Sequence, residues 1–284
     1  MKRILVTGRN GQVGWELQRT LAPLGEVIAL DRTQFDLADP DAIRKAVRAV
    51  RPDVIVNAAA YTAVDQAESE TDLAMGVNGQ APGVMGEEAR ALGAQLVHYS
   101  TDYVFDGSKD SPYTEEDAPA PVNAYGRSKL AGEQAIRESG CRHLIFRVNW
   151  IYGLHGKNFL RTMLRLAGER EELRIVADQF GAPTWSRMIA EATALALGRP
   201  RPPEGLYHLA SAGHTSWHGF TEAILALSRH LRTREPLLTA IATRDYPLPA
   251  PRPRNSRLAC DRLARDVSIE LPDWNDALRL CLDS

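Results

Sequence analysis

Tyr125 and Lys129, in the run Tyr125-Gly126-Arg127-Ser128-Lys129, stand four residues apart, so on a helix a phenol and an ammonium share one face. The chain holds eight tyrosines and only five lysines, and chance predicts about 0.14 pairs at this spacing. A phenol of ordinary pKa, about 10, is a proton donor, and a neighbouring cation lowers that pKa by favouring the phenolate. The pair can therefore protonate the alkoxide that forms when a hydride reduces a ketone, and the ammonium can also hold the ribose of a nicotinamide. A surface helix with a snorkelling lysine beside a half-buried tyrosine would give the same spacing, so the pair draws its meaning from its company. Thr101, in Ser100-Thr101-Asp102, places a hydroxyl at the end of a strand-like run, where it can donate to a carbonyl oxygen or serve as a strand-to-loop cap.

Gly8, Gly11 and Gly14 follow the first apolar run directly and open a helical one. Without a Cβ the backbone can turn tightly and approach a pyrophosphate, whose charge is met by amides at the helix N-terminus. The spacing is GxxGxxG, not GxGxxG, so its position between strand and helix carries more than the pattern itself. Asp31 closes the second strand-like run, within a few residues of the roughly 20-residue offset at which a carboxylate takes the ribose hydroxyls of adenosine. That favours NADH. Arg32 follows immediately and can either pair with a 2′-phosphate or be solvated, so NADPH stays open. Asp36 and Leu37 can flank an adenine, or Asp36 can be an ordinary turn residue.

These residues need a frame. Apolar runs at 3–7, 27–30, 54–57, 95–100 and 144–148 lack alternation, as strands buried on both faces of a parallel sheet do. Helical patterns at 13–22, 40–50, 81–92 and 124–138 have the length of right-handed crossovers. The fold class that follows is α/β: a doubly wound Rossmann-type parallel sheet over 1–150, to which 151–180 contribute in part, and a smaller mixed α/β C-terminal substrate lobe over 151–284. Proline-dense stretches at 198–203 and 247–253 mark loops in that second part, and apolar runs resume around them at 206–210, 220–231 and 237–241. A cleft between the two parts is the expected binding site. At 284 residues, 44% hydrophobic and with a formal net charge of -2, the chain has the composition of a soluble protein without an electrostatic footprint for nucleic acid. The first apolar run is too short to span a membrane, and Cys141, Cys260 and Cys281 have the odd number and wide separation of reduced cytoplasmic thiols.

Taken together, Gly8, Gly11, Gly14, Ser100-Thr101-Asp102 and Tyr125-Gly126-Arg127-Ser128-Lys129 resemble the extended short-chain dehydrogenase/reductase superfamily. Within it, the runs at 11–17, 57–65, 100–105, 178–184 and 252–256 are similar to the dTDP-4-dehydrorhamnose reductase family, over nearly the whole chain. The resemblance implies reduction of the C4 ketone of dTDP-4-dehydro-L-rhamnose to dTDP-L-rhamnose by NADH or NADPH. It makes Tyr125 the acid, Lys129 its tuning cation and ribose ligand, and Thr101 the group that positions the carbonyl. It further implies that Gly11, Gln12, Val13, Asp31, Asp36, Leu37, Ala60, Tyr61, Thr62 and Tyr99 line the cofactor, and that Thr101, Asp102 and Trp150 touch the sugar. Dehydratases of the superfamily carry an acidic pair after the threonine. Here Tyr103 follows Asp102, which favours reduction alone.

A dTDP-linked 4-keto-6-deoxy sugar also brings a diphosphate, for which Arg252, in Arg252-Pro253-Arg254-Asn255-Ser256-Arg257, is the expected cation and Asn158 a weaker polar candidate. Some relatives join dimers through a metal held by glutamates. Glu16 matches one such position, but Arg187 stands where a second is expected, so neither a metal nor a metal-linked dimer is expected, and the chain is taken as a monomer or weak homodimer. Two other functions fit the same fold: a regulatory subunit that binds NADP(H) without catalysis, and another nucleotide-sugar reductase or epimerase. Intact Tyr125, Lys129 and Thr101 argue against the first.

Overall fold

Unalternated apolar runs need cover on both faces, and the chain supplies it by alternating strand and helix. In a computed structural model describing residues 1–231 and 235–284, the order is β1 (Lys2–Thr7), α1 (Gln12–Thr20), β2 (Gly25–Leu30), α2 (Pro40–Val50), β3 (Val54–Asn57), α3 (Thr71–Met75), α4 (Ala81–Leu92), β4 (Gln95–Thr101), α5 (Ala124–Ser139) and β5 (Arg142–Val148). There follow β6 (Ile151–Tyr152), α6 (Phe159–Glu169), β7 (Glu172–Val176), β8 (Phe180–Gly181), β9 (Thr184–Trp185), α7 (Ser186–Leu197), β10 (Gly205–His208), β11 (Thr215–Ser216), α8 (Trp217–Leu227), β12 (Leu237–Ile241), α9 (Asp261–Val267) and α10 (Trp274–Leu282).

Six strands form one parallel sheet in the order β10-β5-β4-β3-β1-β2. The direction of winding reverses between β1 and β3, so a crevice opens beyond their carboxyl ends, beside Thr7 and Asn57. Successive residues serve opposite faces: Ile4 and Val6 join the core under α1 and α7, and Leu5 joins the core under α2, α4 and α5. Every residue of β3 and β4 is buried.

Two departures from the sequence pattern have local causes. The first helix stops at Thr20 instead of running to 22, because Pro23 has no N–H with which to continue the helical ladder and the chain tightens into a short 3₁₀ turn, Ala22–Leu24. The apolar run expected at 220–231 lies in part on a helix that begins at Trp217, where Ser216 Oγ accepts from Gly219 N at 3.0 Å and caps it.

The chain past residue 150 contributes to both parts of the molecule. Its β10 pairs in parallel with β5, from Gly205 opposite Leu144 to His208 opposite Arg147, and covers what would be an open sheet edge. Its remaining short strands pair as β6–β9, β8–β11 and β7–β12, and Tyr152, Leu160, Trp185, Phe220 and Leu278 form a separate core between them and α6, α8 and α10. No described helix is long and apolar enough to cross a membrane.

Candidate active site

The glycine turn is dictated by a close approach. Gly8 has φ +71°, and a Cβ there would lie 2.9 Å from the Ala58 carbonyl just beyond β3. A Cβ on Gly14 would overlap the Gly8 carbonyl oxygen. Only glycine allows both, and the N-cap Gly11 puts no side chain over the first-turn amides of α1. A groove of about 580 Å³ opens there, lined by Gly8, Gly11, Gln12, Val13, Arg32, Phe35, Asp36, Leu37, Ala60, Tyr61 and Thr62 among others. Gln12 Oε1 is buried without a partner. A glycine cradle that a Cβ would fill, an uncapped helix N-terminus and an unsatisfied buried acceptor together suit a dinucleotide.

Asp31 is placed differently from its sequence expectation. Its carboxylate accepts from Thr33 Oγ1 at 2.6 Å and Thr33 N at 3.0 Å, and the Thr33 hydroxyl holds its pKa below the usual carboxylate value. It closes its own turn and is not among the groove residues, whereas Arg32 is, 3.8 Å from Asp36.

A second cavity of about 430 Å³ continues from the groove, sharing Gln12, Val13, Ala60, Thr62, Ile151 and Lys157 with it. Here Thr101, Asp102, Tyr125, Lys129, Trp150 and Asn158 meet, so the sequence-expected catalytic and sugar-contacting residues share one space, Arg252 excepted. Asn123 caps α5 by accepting from Gly126 N at 2.8 Å, and a Cβ on Gly126 would collide with the Tyr103 carbonyl, so α5 begins hard against the end of β4. That contact brings the Tyr125 phenol to the Thr101 hydroxyl.

The electrostatics reverse one expectation. Burial, and then the charge of Asp102, push the Tyr125 pKa well above its ordinary value, with only the Thr101 hydrogen bond opposing. Lys129 is not turned to the phenol: its Nζ donates to the Tyr99 carbonyl at 2.6 Å and lies 3.2 Å from His98 Nε2. Burial pushes Lys129 down to about 8, against the pull of Glu133. Tyr99 itself points its hydroxyl across the sheet to Thr193 on α7, at 2.7 Å.

Asp102 is buried too. One carboxylate oxygen accepts from Thr101 Oγ1 at 3.1 Å, and burial, opposed by Ser256 and Thr101, pushes the pKa up from 3.8 to about 6. A raised carboxylate pKa means that the folded state binds the proton more tightly, so stability is lost as pH rises through the window from about 4 to about 6. Urea titrations at pH 4, 5 and 6 are expected to show the wild type losing about 2 kcal/mol relative to Asp102→Asn across that window. Parallel slopes for the two proteins would mean that Asp102 titrates as an ordinary carboxyl.

Trp150 sits at φ +42°, an uncommon conformation for a bulky residue, and stacks on Trp217 with centroids 3.6 Å apart and planes within 10°. Both line the cavity. Asn158 lines it while capping α6, its Oδ1 accepting from Arg161 N at 3.1 Å and its Nδ2 donating to the Gly153 carbonyl at 2.8 Å. Arg252 is not in the lining itself: its guanidinium grips Asp65 at 2.5 and 2.7 Å and meets Tyr103, which is. Sequence reasoning missed Trp217 and His98. The Ser216 cap was the only local signal for Trp217, and its partner Trp150 lies far away in the chain.

The model of the RmlD substrate binding domain family matches residues 1–284. The chain belongs to that family. A protein named dTDP-4-dehydrorhamnose reductase from Burkholderia thailandensis is 55% identical, covering 99% of this chain and 98% of the relative. Another of the same name from Escherichia coli K12 is 47% identical over 99% and 97%. Among solved structures, dTDP-4-dehydrorhamnose reductase from Bacillus anthracis in complex with NADP superposes with a TM-score of 0.94 at 34% identity, covering 99% of both chains. Family membership makes the chain an oxidoreductase with a Rossmann-like sheet and a nicotinamide cofactor, in agreement with the groove and cavity above.

Proposed function

We infer that the chain reduces the C4 ketone of dTDP-4-dehydro-L-rhamnose to the alcohol of dTDP-L-rhamnose. The observation that carries this is the convergence of Tyr125 and Thr101 on a cavity continuous with a dinucleotide groove, in a chain 55% identical along its length to a protein of that name. Gly8, Gly11, Gln12, Val13 and the Ala60–Thr62 segment would hold a nicotinamide cofactor, which would supply the hydride. Tyr125 then gives its proton to the C4 oxygen. Its raised pKa keeps the phenol protonated until an alkoxide, a far stronger base, is present to take the proton. Thr101 lies on the same side, and its single hydroxyl proton, given to Asp102 in the free protein, turns to that oxygen as charge develops. Lys129 holds the ribose and steadies α5 beneath the phenol. Trp150 and Trp217 form an apolar wall for the sugar, and Asp102 takes a sugar hydroxyl with its carboxylate.

Arg252 meets this site through Tyr103, and Lys157 lines both groove and cavity. Following absorbance as NADH or NADPH is oxidised with dTDP-4-dehydro-L-rhamnose tests the assignment. Oxidation of neither cofactor would overturn it.

Both cofactors are proposed to serve. Arg32 faces the groove and Asp31 does not, which supports acceptance of a 2′-phosphate even though the acidic strand end first suggests NADH. Arg32→Ala is expected to raise KM for NADPH about tenfold, or ~1.4 kcal/mol, and to change that for NADH less than twofold. Equal changes for the two would remove Arg32 from the role of phosphate ligand.

A further inference from the structure

In a parallel sheet covered on both faces, polar side chains on a strand interior are costly unless each one is paired. Thr7, Asn57 and His98 nevertheless form a row across three strands: Thr7 stands opposite Asn57 in the β1–β3 pairing, and Asn57 opposite His98 in the β3–β4 pairing. Each is 1% exposed. Thr7 Oγ1 donates to Asn57 Oδ1 at 2.7 Å, Asn57 Nδ2 lies 3.0 Å from His98 Nδ1, and His98 Nε2 lies 3.2 Å from Lys129 Nζ. The row starts at the residue before the glycine turn and ends at the lysine of the cavity.

Counting protons along the row decides its state. Asn57 Oδ1 accepts from both Thr7 Oγ1 and Ala59 N, so the amide nitrogen is the atom turned to His98. Nδ1 of His98 therefore accepts, and the single proton of a neutral imidazole sits on Nε2, aimed at Lys129. Burial, and then the Lys129 charge, hold the His98 pKa well below its ordinary value, so the ring stays neutral. An amine can accept the Nε2 proton and still donate to the Tyr99 carbonyl. An ammonium has no lone pair to accept it, and protonating Lys129 requires the ring proton to pass to Nδ1 and the Asn57 amide to turn over.

We propose that His98 is a positioning residue for Lys129: fixed from behind by Asn57 and Thr7, it sets where the lysine nitrogen sits and which protonation state that nitrogen holds. This rests on the reductase reading of Tyr125, Thr101 and Lys129. Other ionisable groups surround the lysine. Glu133, one turn along α5, favours the ammonium but is engaged by Arg147 of β5 and by Arg137, and Asp102, Tyr103 and Tyr125 face the cavity from the end of β4 and the start of α5. Among these groups only His98 lies within hydrogen-bond distance of Nζ.

The test uses the full chain, with His98→Phe, which deletes both ring nitrogens, and His98→Gln, whose amide reaches Lys129 but offers donor and acceptor alike. Affinities for NADH and NADPH are measured by protein fluorescence from pH 6 to 10, independently of turnover. The wild type is expected to show a midpoint about pH 8, and both variants a midpoint raised by about one unit, since neither forces a proton toward the lysine. With dTDP-4-dehydro-L-rhamnose, His98→Phe should lose at least tenfold in kcat with KM for the sugar within about threefold, and His98→Gln should recover most of that loss. Should His98→Phe fold poorly, the midpoint of His98→Gln decides. In ¹⁵N spectra of the wild type, the His98 ring should stay neutral, with the Nε2–H tautomer above the Lys129 midpoint and the Nδ1–H tautomer below it. Midpoints in both variants that coincide with the wild type, or a His98 tautomer that does not change across that midpoint, would overturn the proposal. A wild type that binds cofactor but reduces no keto sugar would overturn the reductase reading instead, leaving the midpoint and tautomer results to judge His98.

Discussion

Tyr125→Phe is expected to lower kcat by about 10²–10⁴-fold while leaving the dissociation constant for NADPH within about twofold. The change removes one oxygen from a side chain that packs against Tyr103, ring centroids 5.7 Å apart and nearly perpendicular, so the cavity wall keeps its shape. What is lost is a proton that the C4 oxygen needs only as it becomes an alkoxide, an interaction of the transition state and not of the ground state, so kcat should bear the loss and KM should not. Thr101 stays and can still donate, which sets a floor above the uncatalysed rate. The phenol's own raised pKa adds a second mark. Because Tyr125 stays protonated far into alkaline solution, the wild-type rate should not fall on the alkaline side through loss of the phenol proton, and any such limb about pH 8 belongs to Lys129. Single-turnover oxidation of NADPH separates the chemical step from product release. A near wild-type rate in that experiment would show that Tyr125 is not the acid.

Much of the site could be read from residue types because it is built at strand ends and on one helix face. The glycine turn, Thr101 at the end of β4 and the Tyr125/Lys129 spacing are local features, and the backbone places them without help from distant contacts. What could not be read depends on register and burial. His98 meets Asn57 only because β3 and β4 pair in one register, and Trp217 meets Trp150 only through packing of α8 on the loop after β5. Arg252 looked free as part of a basic loop, yet Asp65, distant in sequence, takes both of its terminal nitrogens. Asp31 carried a legible warning: Thr33, two residues on, is well placed to close an Asx turn on its carboxylate, and it does. The direction of the Tyr125 shift could not have come from sequence at all. A cation four residues away argues for a lower pKa, and burial of the whole constellation outweighs it.

The largest stability effect is expected one turn beyond the lysine. Tyr125, Lys129 and Glu133 follow each other along the inner face of α5, and Glu133, fully buried, receives both arms of the Arg147 guanidinium, Nε at 2.8 Å and Nη2 at 2.7 Å. Arg147 is 1% exposed and lies 5.0 Å over the Phe105 ring. Two charges withdrawn from water are tolerable as a bidentate pair, and the energy lies less in making the pair than in breaking it. Glu133→Gln keeps the shape but leaves Arg147 with an uncompensated charge, at an expected cost of about 3–5 kcal/mol. Arg137, which approaches the same carboxylate at 3.0 Å from the solvent side, cannot offset this, since it adds a like charge. Joining Glu133→Gln with Arg147→Met removes the stranded cation and should return at least half of the lost stability, whereas two independent losses would add. Urea unfolding of the two single variants and the double variant measures the coupling directly. The same substitution reaches the chemistry: Glu133 is the group that pulls the Lys129 pKa upward, so Glu133→Gln should also move any Lys129-dependent limb of the pH profile to lower pH. If the two single losses simply add in the double variant, the pair is not the coupled ionic unit that its geometry describes.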